Sequence, residues 1–130
     1  MKRFILAATV SISGSVAMAQ DIPEFFSETY PEHALSEAME WYGALNGPDA
    51  PLDRKTRELI MLGVAAQIPC EFCIYAHREN ALAAGATEPE IRDAVAAAAG
   101  VRMWSTVLQG MDYDFESFTA EHDGIRAASN

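Results

Sequence analysis

The chain has 130 residues, enough for one small domain, with nine basic and nineteen acidic side chains and a formal net charge of −10. Half of its residues are apolar, which suits a globular fold, and beyond the N-terminus no run is apolar enough to span a bilayer. So acidic a surface repels nucleic acid and anionic membranes, and no nucleic-acid partner is expected.

Residues 1–19 read as an export signal. Lys2 and Arg3 form a basic start, Phe4 to Ala17 a short and mostly apolar stretch, and Ala17-Met18-Ala19 a small-x-small cleavage site. No cysteine follows that site, so a lipid anchor is not expected there. The mature domain is then residues 20–130, with seven basic and nineteen acidic side chains and a formal charge of −12. Export directs the chain to an oxidising compartment, and a periplasmic or secreted location is expected.

Every later segment has a helical pattern and none alternates like a strand, so the fold class is all-α. Residues 21–30 form a leader with aromatic anchors at Phe25, Phe26 and Tyr30. Pro31 opens a first helix to about Leu45, with an apolar stripe of Ala34, Leu35, Ala38, Met39, Tyr42 and Leu45, and Asn46-Gly47-Pro48 ends it. Asp53 caps a second helix over Arg54 to Gln67, apolar enough to be central and carrying Glu58 within its apolar surroundings. Pro69 marks a break and starts a third helix to about Ala84, with Gly85 as its left-handed terminator. Thr87 and Glu90 form a capping box for a fourth helix over Glu88 to Gln109, whose small residues from Ala94 to Gly100 allow a neighbour to approach closely. The acidic tail from Met111 carries Tyr113, Phe115 and Phe118, which either fray or dock. Alanine-rich helices bury little area each, so association of identical copies is expected.

Both cysteines lie in Cys70-Glu71-Phe72-Cys73-Ile74-Tyr75-Ala76-His77. On a helix, the two sulfurs and the imidazole share one stripe at i, i+3 and i+7. A disulfide between Cys70 and Cys73 closes too short a loop to restrict the unfolded chain much, which suits redox cycling better than stapling. The N-terminal turn of the third helix favours a thiolate, and most of all at Cys70. His77 is four residues beyond Cys73, within reach to take its proton. If the second and third helices pack antiparallel, Glu58 approaches His77 and orients the ring or relays its proton. Other readings stay open at this point. Cys70, Cys73 and His77, with Glu58 or His33 as a fourth ligand, could bind zinc. The cysteines could also form an inert disulfide in a non-catalytic helical oligomeric binding protein. Covalent haem is discarded, because that attachment needs histidine directly after the second cysteine and Ile74 stands there. Tyr75, Arg78, His33, His122, Trp41 and Trp104 read as packing or surface residues.

Three segments together are similar to a known family: Pro51-Leu52-Asp53-Arg54-Lys55-Thr56-Arg57-Glu58-Leu59-Ile60, then Cys70-x-x-Cys73-x-x-x-His77, then Gly85-Ala86-Thr87 with Glu90-Ile91. They resemble the carboxymuconolactone decarboxylase family, and more closely its alkylhydroperoxidase AhpD-like branch, over about residues 35 to 105. The resemblance implies an AhpD-like helical bundle, a single domain that assembles as trimers or hexamers. It implies a thiol-dependent peroxidase or disulfide reductase with no cofactor and no metal. In that scheme Cys73 attacks the peroxide, Cys70 resolves the product as a disulfide, and His77 and Glu58 relay protons. The substrate is a small hydroperoxide or a disulfide, and the reductant an external dithiol. Phe72 stands where the well-studied peroxidases carry histidine, and the decarboxylase branch lacks the cysteine pair.

Overall fold

The computed structural model describes residues 22–129. The expected export signal lies outside the described residues. Among these, all regular structure is helical, in six helices, and no helix is long and apolar enough to cross a membrane. The chain divides into two compact units, one ending at Gly43 and one beginning at Ala44.

The first unit holds α1 (Glu24–Ser27) and most of α2 (Glu32–Leu45). The leader is not wholly irregular, because Pro23 starts a single helical turn. The Phe25 and Phe26 rings lie 4.5 Å apart, and Phe26 lies 6.3 Å from Tyr42. On α2 the expected stripe is half-buried from Ala34 to Tyr42, but Leu45 is exposed and no α2 residue is fully buried.

The second unit is built on α3 (Arg54–Gln67), which packs against α4 (Glu71–Ala83) and α5 (Glu88–Gly110). The bounds of α3 match the sequence reading because Asp53 caps it doubly. Its Oδ1 accepts the Thr56 N–H at 3.0 Å and its Oδ2 accepts the Thr56 hydroxyl at 2.6 Å. Leu62, Ala81, Ala86 and Ile91 form the core, with Leu59, Ile74 and Leu82 packed around it. It is a small core. Leu62 is the largest side chain fully buried, and such a burial contributes only about 2 kcal/mol.

The small-residue stretch of α5 does admit a close neighbour. A Cβ built on Gly63 of α3 would lie 3.4 Å from the Ala98 Cβ, and the Gln67 side chain donates to the Ala98 carbonyl at 2.7 Å. Gly85 has φ +87°, so α4 ends in a Schellman turn. The Ala86 and Gly85 N–H groups donate to the carbonyls of Ala81 and Leu82 at 2.9 Å each. The Thr87–Glu90 capping box forms as expected at the start of α5. The tail past Met111 is neither frayed nor irregular but forms α6 (Phe115–Ala128), capped by Asp114, whose carboxylate accepts the Ser117 N–H at 2.8 Å. No α6 residue is buried.

Candidate functional site

Three residues, 68–70, join α3 to α4. The Ile68 N–H donates to Val64 and the Cys70 N–H to Ala65, both at 3.2 Å. A link so short folds α4 back along α3, which brings residues on either side of the turn face to face. Glu58 is only 6 % exposed. Its Oε2 lies 2.8 Å from the His77 Nδ1, and both side chains are largely shielded from water. The structure therefore joins the carboxylate of α3 to the imidazole of α4, as the spacing suggested.

The pairing has a chemical consequence. An ionised Glu58 accepts the Nδ1–H, which fixes the ring's tautomer and orientation and leaves Nε2 as the basic nitrogen. Cys73 lies one helical turn before His77 on α4, on the same stripe of that helix. A shielded carboxylate and an oriented imidazole are the parts that a proton relay requires.

Cys70 and Cys73 are joined as a disulfide, with their Cα atoms 5.3 Å apart. The start of α4 differs from the sequence reading. Neither Pro69 nor Cys70 lies in its first turn; Cys70 is the N-cap, with extended backbone (φ −91°, ψ 102°), and its Sγ accepts the Cys73 N–H at 3.3 Å. The sulfur itself takes the place of a capping oxygen, so the helix begins one residue after it rather than at the proline. Cys70 thus stands directly before the free N–H groups of α4, where a thiolate is favoured. Cys73 is inside the helix and within a turn of His77. The two sulfurs are thus not equivalent, one at the helix terminus and the other inside its first turn.

Sequence reasoning overlooked Arg57, which is buried beside Glu58. Its guanidinium donates to the Leu52 carbonyl at 2.5 Å and reaches the Asn46 Oδ1 at 3.5 Å. It ties the connection before α3 onto the helix that carries Glu58. No helical spacing marks it as buried, since it lies about 100° round α3 from Glu58. Arg78 is an ordinary surface residue, paired with Glu79 and Glu88. A hollow of about 580 Å³ lies between α3 and α5 against Ile60, Val64, Ala98 and Val101, and none of Glu58, Cys70, Cys73 or His77 lines it. The chemistry is therefore outside that hollow. Among the described residues, no group of three or more His, Cys, Asp or Glu side chains is arranged to hold a metal ion.

The family model of the carboxymuconolactone decarboxylase family matches residues 34–113, more than half of the chain. The chain belongs to that family. The carboxymuconolactone decarboxylase family includes AhpD-like proteins, peroxidase-like enzymes as well as decarboxylases, and an all-helical architecture fits it. Relatives include an uncharacterised protein of Haemophilus influenzae, 46 % identical over 52 residues, which are 40 % of this chain and 44 % of the relative. Another is "uncharacterized protein 4 in cox locus" of Paracoccus denitrificans, 39 % identical over 54 residues, 42 % of this chain and 49 % of the relative. The chain matches somewhat less than half of the length of these curated relatives. Family membership and the joined cysteine pair are both compatible with redox function.

Proposed function

We propose that this protein is an exported, AhpD-like thiol oxidoreductase that reduces hydroperoxides or exchanges disulfides at Cys70 and Cys73. The observation that carries the reading is the shielded 2.8 Å contact between Glu58 of α3 and His77 of α4, the helix that Cys70 caps and that contains Cys73. An inert staple has no need of an oriented imidazole one turn away.

In the reduced protein, His77 takes the Cys73 proton and the thiolate attacks the terminal peroxide oxygen. The O–O bond breaks, the alcohol leaves after gaining a proton, and Cys73 becomes a sulfenic acid. Cys70 then attacks that sulfur, water leaves, and the disulfide forms. An external dithiol restores both thiols and is itself oxidised to a disulfide. Exchange with a disulfide substrate uses the same two sulfurs without the peroxide step. Glu58 keeps the ring oriented throughout, and no cofactor is needed for any step.

The deciding experiment is turnover of Cys73→Ser with a panel of hydroperoxides and a model disulfide. Loss of all activity is expected, and full activity would remove Cys73 as nucleophile. Thiol labelling tests the rival reading. Cysteines that resist iodoacetamide even after dithiothreitol, in a protein whose double serine variant behaves as wild type, would make the pair an inert disulfide.

We also propose that the protein works in the periplasm or outside the cell, as an assembly of three or six copies. The large exposed apolar side chains along α5 and α6, Val101, Trp104, Val107, Phe115 and Ile125 among them, support association, since monomers seldom leave so many uncovered.

A further inference from the structure

The disulfide has apolar surroundings that its own chemistry does not require. Phe72, between the two cysteines, is 81 % exposed, Tyr75 is 73 % exposed, and Ile68, in the turn before Cys70, is 61 % exposed. Phe72 and Tyr75 are neighbours at i and i+3 on α4. Large side chains are left in water immediately around the only two sulfurs able to form a disulfide, while the same helix buries Ala81, a small one. The charged residue between them in sequence is acidic, in a chain of net charge −10. Glu71 is exposed between the cysteines, and the nearest cation on α4, Arg78, is held by Glu79 and Glu88.

We propose that Ile68, Phe72 and Tyr75 are a docking collar for a polypeptide that presents a dithiol flanked by basic residues, and that this polypeptide is the reductant of the Cys70–Cys73 pair. The proposal rests on the redox reading above and names its partner. Aromatic side chains are the usual anchors of protein interfaces, and the acidic setting favours a basic partner. A small dithiol offers no surface to cover such a collar.

In the reducing step, a thiolate of the partner attacks Cys70 Sγ, which stands at the helix edge outside α4. The Cys70–Cys73 bond breaks, a mixed disulfide forms, and Cys73 leaves as a thiolate that receives a proton from His77. The partner's second thiol, losing its proton, attacks the partner's own sulfur in the mixed disulfide. Cys70 is released as a thiol, and the partner departs as a disulfide. Two electrons pass to this protein.

The test uses the full mature protein and three reductants: a CxxC peptide flanked by lysines, the same peptide flanked by glutamates, and dithiothreitol. The readout is the rate at which the disulfide is lost. The lysine peptide should outpace the glutamate peptide by about tenfold at low ionic strength, and salt should narrow the gap. In a Phe72→Ala, Tyr75→Ala variant, the lysine-peptide rate divided by the dithiothreitol rate should fall by about tenfold. Phe72→Leu, which keeps apolar bulk, should retain most of that ratio. An unchanged ratio in the double variant, or equal rates for the two peptides, overturns the collar. So does a change in the double variant's assembly size, which would make these side chains a contact between copies. A wild-type disulfide that dithiothreitol cannot reduce brings down the redox reading itself. One that dithiothreitol reduces, with an unchanged ratio, brings down the collar alone.

Discussion

Glu58 is a carboxylate held out of water by the core of α3, and its stability depends on the imidazole that faces it. Removing one partner of a buried ionisable pair leaves the other uncompensated, so Glu58→Ala should destabilise the protein by about 3 kcal/mol in urea unfolding. Glu58→Gln keeps a hydrogen-bond acceptor, should unfold much closer to wild type, and should still slow turnover, since a neutral amide cannot support a charged imidazole. Equal activity of Glu58→Gln and wild type would detach the carboxylate from the chemistry. A second carboxylate makes a pH prediction. The Lys55 ammonium, which donates to Glu90 at 2.8 Å, and then the N–H and hydroxyl of Thr87 hold the Glu90 carboxyl down at about 2 against an ordinary 4.5. Its folded value lies below its unfolded one, so its contribution is whole above about pH 4.5 and fades as the pH falls to about 2. The difference in urea midpoint between wild type and Glu90→Gln should shrink across that window. The contact is at the surface, and added salt should reduce it too. The Glu58–His77 pair was legible in the sequence because a short turn between two helical patterns leaves few ways for them to pack. Arg57 was not, because nothing in a linear pattern distinguishes an arginine that folds back onto a carbonyl from one that points into water.

Helix boundaries followed their local chemistry, and so did the errors in reading them. Asp53 with Thr56, and Thr87 with Glu90, announced the starts of α3 and α5 through side chains that commonly cap. Cys70 concealed the start of α4, since a sulfur is not a usual cap and the adjacent proline offered a familiar first helical residue. Helix α6 was missed although Asp114 and Ser117 have the same spacing as Asp53 and Thr56; the aromatic residues between and after them drew the reading toward loose anchors. The end of α5 is similar. Its left-handed residue is Asp112 (φ 49°), with the Tyr113 N–H donating to Leu108 at 3.1 Å, and not the Gly110 that ends the sequence pattern. A side chain is disfavoured in that conformation, so Asp112→Gly should raise stability by about 1 kcal/mol, measurable as a higher melting temperature. The contact between α3 and α5 gives a paired test. Gly63→Ala meets Ala98 at ordinary contact distance and gains helix propensity, so it should be neutral or slightly stabilising. Gly63→Leu must push α5 away and should cost about 1–3 kcal/mol.

At the scale of the molecule, a small core and a long uncovered α5 point the same way. Trp104 and Val101 are both well exposed, and covering them requires another surface. Sedimentation of the purified protein should give three or six copies, and Trp104→Glu should lower that number without loss of helical circular dichroism. A wild-type protein that sediments as a single chain would contradict the assembly. The amphipathic helices were readable from periodicity, but which faces stay open was not, since that depends on how many partners each helix finds. The connection from Gln67 to Glu71 also bears on how such a protein can vary. Its register is held by two backbone hydrogen bonds, from Ile68 to Val64 and from Cys70 to Ala65. One extra amino acid in that link would swing the imidazole off the carboxylate while leaving each rod intact. Tolerance of insertions should therefore be low at this turn for reasons of register alone, and a lengthened version should fold yet be silent.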